Sequence, residues 1–300
     1  MGNRCAKGSF CIEGSSTEEL CAAGTYNPNK GQYECYECPV GSYCPEGAVE
    51  PVICGIGYYC EAGTIGDLST PGTPCEAGKY QPLEGSWYCL KCPPGYYCSG
   101  SAKNSITEAD DWCDAGYMCF EGASIATPIG VSSGDKCGKG TYCNRGSAYE
   151  NACPPGLACP SKGMQLTDAQ DSSNFCAPGY YCLTGATTKE PVILNEGGGI
   201  CPAGHYCPSP DPAESNLSGT QVPYPCAPGT YRASTGGSSI TVDDVDGCST
   251  CLEWYYCPDY GSTFYKACAD GWFCEAGETT SMPVGKFCPI GHKCNLGRKT

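Results

Sequence analysis

"CPPGYYC", Cys92 to Cys98, is one copy of a seven-residue frame that recurs along the chain. Other copies read "CPVGSYC" (38–44), "CGIGYYC" (54–60), "CGKGTYC" (137–143), "CAPGYYC" (176–182) and "CPAGHYC" (201–207). Twelve cysteine pairs have this spacing and account for 24 of the 30 cysteines. The other six open in the same way but close later: Cys21 with Cys35, Cys75 with Cys89 and Cys226 with Cys248. The chain is therefore 15 copies of C-x-x-G-x-aromatic followed by a second Cys. Internal repetition of this kind takes precedence over any element-by-element reading.

A disulfide holds its two Cα atoms roughly 4.4–6.8 Å apart, whereas seven extended residues span about 20 Å or more. The frame must fold back on itself. Glycine three residues after the first Cys supplies a positive φ without steric cost, and a preceding Pro presets its own φ. The "APG" of Cys176 and Cys226 suits a type II turn with Pro and Gly at its centre. Fourteen of the 15 copies keep the Gly, and Trp254 replaces it in the copy at Cys251. Tyr or Phe fills the aromatic slot in twelve; Met118, Ala158 and Lys293 are the exceptions. The aromatic is expected to pack over its own disulfide.

Leu, Ile, Val and Phe make up 37 of 300 residues, while Gly and Pro make up 67. So few aliphatic residues cannot build a core of ordinary size. Thirty cysteines are at the level that marks a disulfide scaffold. On the loop-entropy account, closing a seven-residue loop stabilises by about 2.4 kcal/mol. The expected fold is a series of small disulfide-rich repeats forming an elongated rod. Short β-ribbons and turns replace regular structure, and "SAKNSITEADDW" (101–112) is the best candidate for a helical turn.

Local closure pairs Cys5–Cys11, Cys21–Cys35, Cys38–Cys44, Cys54–Cys60, Cys75–Cys89, Cys92–Cys98, Cys113–Cys119 and Cys137–Cys143. It continues with Cys153–Cys159, Cys176–Cys182, Cys201–Cys207, Cys226–Cys248, Cys251–Cys257, Cys268–Cys274 and Cys288–Cys294. It is favoured because the six remaining cysteines then form three matching long loops. The competing scheme bridges neighbours, as in Cys44–Cys54 or an interleaved Cys38–Cys54 with Cys44–Cys60.

Spacing divides the chain into a short unit and spacer (1–20), cysteine-rich blocks at 21–74 and 75–136, an array of short units (137–225) and a third block (226–300). An even count of cysteines implies an oxidising compartment, outside the cell or at its surface. The first ten residues hold no apolar run of the signal-peptide kind, and no stretch is apolar enough to span a membrane. Repeats start near residue 1 and stop after Cys294, so the segment is expected to belong to a longer secreted chain. A net charge of −15 opposes nucleic-acid binding.

With C-x-x-G-x-Y … C-x-x-C-P-x-G-x-Y-C in view, the chain resembles the ephrin-receptor-like cysteine-rich repeats. The match rests on Cys21, Gly24, Tyr26, Cys35, Cys38, Pro39, Gly41, Tyr43 and Cys44. It recurs at Cys75, Gly78, Tyr80, Cys89, Cys92, Pro93, Gly95, Tyr97 and Cys98. In the copy opening at Cys226, Gly229, Tyr231, Cys248, Cys251 and Cys257 match, while Leu252 and Trp254 replace Pro and Gly. The resemblance implies an extracellular, disulfide-bonded, elongated module, of the kind arrayed in protist and algal surface proteins. Nothing resembles a kinase or an ephrin-binding domain, so signalling is not implied.

No catalytic constellation is present, and the chain is expected not to be an enzyme. "CYEC", "CLKC" and "CSTC" lack the strand–helix setting of a redox motif. His205 and His292 read as variable turn residues rather than metal ligands. "TVDDVDG" (241–247) is similar to a calcium loop, but with Gly247 in sixth place Val242 would stand at the first ligand position, which does not suit calcium, and the acidic charge as a whole reads as a solvated surface. No cofactor is expected beyond glycans, with calcium as the alternative. Asn216 is the one standard N-glycosylation acceptor, and Ser69, Thr70, Thr187, Thr188, Ser234 and Thr235 are candidates for O-linked sugars. Tyr255, Tyr256, Tyr260 and Trp272 form the densest aromatic run and are candidates for a subunit contact.

The expected function is structural: a stapled repeat contributing to a filament, stalk, flagellar hair or surface coat. Partners would be further copies or other extracellular structural proteins, with neither nucleic acid nor membrane insertion. The alternative is a receptor or adhesion ectodomain that binds a protein or glycan.

Overall fold

The computed structural model describes residues 3–108, 110–210, 218–237, 244–245, 247–295 and 298–299. Its regular structure is almost all antiparallel strand pairs two or three residues long. Eleven sheets have two strands, and one adds Asp244–Val245 beside Cys248–Thr250 to make three. Most repeats make their ribbon in the same way, while those opening at Cys92, Cys153 and Cys268 keep a single bridge there, Tyr96 with Trp112, Leu157 with Phe175 and Trp272 with Phe287. The two residues after the turn glycine pair with the two before the next repeat's first Cys, as Thr25–Tyr26 pairs with Tyr36–Glu37 and Ser42–Tyr43 with Val52–Ile53. Fifteen disulfides use all the cysteines, each within its own repeat, with Cα atoms 5.7–6.2 Å apart.

The turn chemistry follows from the frame. Gly179 and Gly229 have φ of +85° and +87°. The N–H of the residue after each returns to an alanine carbonyl three residues back, Tyr180 to Ala177 and Thr230 to Ala227. This is the type II geometry that Pro-Gly favours.

The described residues form no large core. Buried residues are chiefly the cysteines, gathered into small clusters of one disulfide with a few side chains. The clusters correct the expectation that each slot aromatic covers its own disulfide. Tyr26 packs on Cys38–Cys44, Tyr43 on Cys54–Cys60 and Tyr97 on Cys113–Cys119, each the next repeat's bond. The residue one place earlier covers the local bond, as Tyr58, Tyr117 and Tyr180 do. Successive strand residues point to opposite faces, so only one of the two can lie on the local disulfide. Ala158, an exception in the aromatic slot, obeys the same rule: it is fully buried against Cys176–Cys182 of the following repeat.

The helical turn falls elsewhere than expected. It occupies Leu166–Ala169, where the Asp168 carboxylate accepts the Gln165 N–H at 3.1 Å. The described part of 101–112 holds no helix. There the buried Asp111 carboxylate takes the Thr107 N–H at 2.8 Å and the Lys103 ammonium at 2.6 Å, which offers the backbone an alternative to helical bonding.

The chain divides into two compact units, Met1–Lys136 with Asn144–Tyr149, and Cys137–Cys143 with Glu150–Thr300. Within each, consecutive repeats share one set of backbone bonds. The Gly24 N–H donates to the Cys44 carbonyl and the Gly24 carbonyl accepts from Cys38 N–H. Gly47 N–H donates to the Cys21 carbonyl and Asn27 N–H to that of Ala48. The same four bonds recur one repeat later, at Gly41, Gly63 and Cys44.

Candidate interaction surface

The shared ladder also brings every second repeat into contact. A Cβ on Gly8, Gly24 or Gly41 would lie 2.3–2.4 Å from the carbonyl oxygen of Gly47, Gly63 or Gly85 respectively, each two repeats on. In the second compact unit, Gly140, Gly156, Gly204 and Gly229 stand the same way against Gly185, Gly219, Gly261 and Gly277. Side chains are excluded there by backbone. Trp254, at φ +74°, keeps the glycine's two ladder bonds, to the Cys274 carbonyl and from the Cys268 N–H, and sets its ring 4.5 Å from Phe273.

A second regularity escaped sequence reading. In the three long repeats the position that elsewhere holds the closing Cys is Asn27, Gln81 or Arg232. The two amides are buried and serve as internal hydrogen-bond hubs. Asn27 Nδ2 donates to the Ser9 and Glu34 carbonyls at 3.0 and 3.3 Å. Gln81 Nε2 donates to the Tyr88 carbonyl at 2.7 Å, while its Oε1 accepts Leu83 N–H at 3.0 Å. Aligning the long repeats on their first cysteines would have exposed this signal.

The candidate contact residues separate into two ring groups. Tyr255 packs edge-on to Tyr265 at 4.5 Å, and Tyr265 touches Tyr231 at 5.0 Å. Trp272 lies 4.6 Å from Phe287. Tyr256 is half-buried in the same strand as Tyr255, whereas Tyr260 is 72% exposed. Phe264, Phe287 and Ile290 are exposed as well.

Among the described residues perturbed ionisable groups are few and have local causes. Hydrogen bonds from the Ser69 hydroxyl, the Thr70 and Ser69 N–H groups and the Thr70 hydroxyl hold the Asp67 carboxyl down at about 2. The Ser69 and Thr70 hydroxyls, both candidate sugar acceptors, are thus already bonded to Asp67. Asp171 is lowered by Ser173, which it caps. Glu278 is lowered chiefly by its hydrogen bond from Lys286, and Lys286 is raised by Glu278 and then Glu275. Asp67 and Asp171 lie in exposed turns, and Glu278 and Lys286 form a half-buried ion pair.

Among the described residues no three His, Cys, Asp or Glu side chains converge as metal ligands. His205 Nδ1 lies 3.1 Å from the Ala203 carbonyl, and His292 is exposed. Asn216 lies outside the described residues, as do Thr241, Val242, Asp243 and Asp246 of the acidic loop. Ser218, the third residue of the glycosylation motif, is buried, and a Cβ on Gly156 would come within 2.8 Å of its hydroxyl. No described helix is long and apolar enough to cross a membrane.

No protein-family model matches the chain. Cysteine repeat modular protein A of Toxoplasma gondii is 25% identical over 328 residues, 97% of this chain and 9% of that protein. Tumor necrosis factor receptor superfamily member 8 of Homo sapiens is 26% identical over 151 residues, 49% of this chain and 25% of its own length. A rat protein named for sushi, von Willebrand factor type A, EGF and pentraxin domains is 28% identical over 166 residues, 51% of this chain. An ABC transporter G family member of Arabidopsis thaliana is 30% identical over 160 residues, 50% of this chain and 12% of that protein. The chain spans about a twentieth of the rat protein, 5% of its length. Disulfide-bonded repeats together with relatives of this kind place the chain among extracellular cysteine-repeat proteins.

Proposed function

We propose that the chain is a structural segment of the ephrin-receptor-like type, a disulfide-stapled array contributing to an extracellular filament, stalk, flagellar hair or surface coat. It carries out no catalysis, and it is secreted or held at the cell surface. The observation that carries this reading is the ladder itself. Four backbone bonds and a glycine–backbone contact recur from repeat to repeat, so spacing is fixed by main chain while side chains stay free to vary. The match to the Toxoplasma protein over 97% of the chain supports it. Self-assembly would use the exposed ring of Tyr260 together with Tyr255, Tyr256 and Trp272. Electron microscopy of native material tests the proposal: regular polymers are expected, and single monodisperse particles would defeat it.

A second reading, a receptor or adhesion ectodomain, is favoured by the likeness to a tumor necrosis factor receptor superfamily member. Its partner would be an extracellular protein or glycan. Asn216 is proposed to be glycosylated before the buried Ser218 closes against Gly156. A mass shift at Asn216 on enzymatic deglycosylation is the expected result, and an unmodified Asn216 in native material would refute it.

A further inference from the structure

One recess in the first compact unit combines features that the structural reading does not use. It has a volume of about 290 Å³ and lies between the repeats opening at Cys54 and Cys75. Tyr59, Trp87 and Tyr88 supply aromatic walls, and Glu61, Glu76 and Lys79 supply charge. Trp87 is 60% exposed, so its ring is open to solvent and to a ligand. Tyr88 meets its edge at 5.0 Å and 63°.

The loop that carries Trp87 is fixed from several sides. Gln81 bonds the Tyr88 carbonyl, and the Cys75–Cys89 disulfide closes the loop. Cys60 N–H donates to the Ser86 carbonyl at 2.9 Å, and Gly85 N–H to the Cys54 carbonyl at 2.8 Å. These bonds fix the main chain that carries the indole, so a ligand that covers it need order no further backbone.

We propose that this recess binds one neutral pyranose ring of a glycan. An aromatic face takes the apolar C–H face of a sugar, while hydroxyls need both acceptors and donors. Glu61 and Glu76 supply acceptors, and Lys79, whose ammonium is 3.7 Å from Glu76, supplies donors. The two carboxylates would repel an anion, and titration with an organic cation separates that ligand from a neutral ring. The volume lies just below the ~300–1,000 Å³ usual for ligand sites, which suits a single ring.

The test titrates the oxidised, nitrogen-15-labelled chain with the methyl pyranosides of glucose, galactose and mannose, and with tetramethylammonium. At least one glycoside is expected to shift one indole N–H signal saturably. Trp87→Ala removes that signal, so binding to this variant is read from the Tyr88 and Cys89 amides and should be lost. Glu76→Gln, at an exposed position, should weaken binding about tenfold, while Tyr33→Ala, at another exposed ring, should leave it unchanged. Intact mass confirms that each variant keeps its disulfides. If no glycoside gives a saturable shift, or if binding survives Trp87→Ala, the proposal fails. Tetramethylammonium binding without sugar binding would instead assign the recess to cations and overturn it too. Failure here leaves the filament reading standing, since that reading does not depend on this recess.

Discussion

Gly41 and Gly14 have similar backbones, with φ of +79° and +86°, but different surroundings. A Cβ on Gly41 would stand 2.3 Å from the Gly85 carbonyl oxygen, whereas nothing lies within 4 Å of one on Gly14. Gly14→Ala should therefore cost the left-handed conformation alone, about 1–3 kcal/mol. Gly41→Ala should cost a further ~1–3 kcal/mol, because main chain rather than a movable side chain is in the way. Amide exchange at Cys54, whose N–H donates to the Gly41 carbonyl, reads the second effect. Equal losses in the two variants would show that the contact two repeats away contributes nothing. Asp67 gives a pH prediction. Its folded value, about 2, lies below its ordinary 3.8, so its contribution is complete above about pH 4 and lost as pH falls towards 2. The Ser69 and Thr70 amide resonances should move together across that window and stay still in Asp67→Asn.

At the level of the repeat, aromatic slots couple one disulfide to the next. Removing Cys38–Cys44 by the double change Cys38→Ser, Cys44→Ser should cost about 2.4 kcal/mol for the seven-residue loop. The loss should not stay local, because Tyr26 rests on that bond while Tyr43, within the same loop, rests on Cys54–Cys60. Exchange protection is expected to fall at Gly24 and Cys54 as well as inside the loop, and protection unchanged at both would refute the coupling. Much of this element was legible: Cys, Gly and aromatic spacing specified a turn and a ribbon, because a short covalent loop leaves the backbone few options. The helical turn was misplaced, since the sequence of 101–112 does not reveal that Asp111 is buried and bonded to Thr107 and Lys103. The hubs at Asn27 and Gln81 were equally hidden, because their role depends on which carbonyls the neighbouring repeat delivers.

For the whole molecule, covalent links replace an oily interior, and the mass should record them. The native chain is expected to weigh about 30 Da less than its fully reduced form, as fifteen bonds remove two hydrogens each. A smaller difference would mean that some cysteines remain free and that their repeats are held by weaker forces. Composition and spacing alone determined that this chain is a series of small stapled repeats with no large core, since 30 cysteines and few aliphatic residues permit nothing else. Only the tertiary structure decided which disulfide each aromatic covers and which carbonyl each turn glycine faces. Those choices depend on how one repeat is rotated against the next, and that rotation is set by the shared backbone ladder rather than by the residues within any single frame.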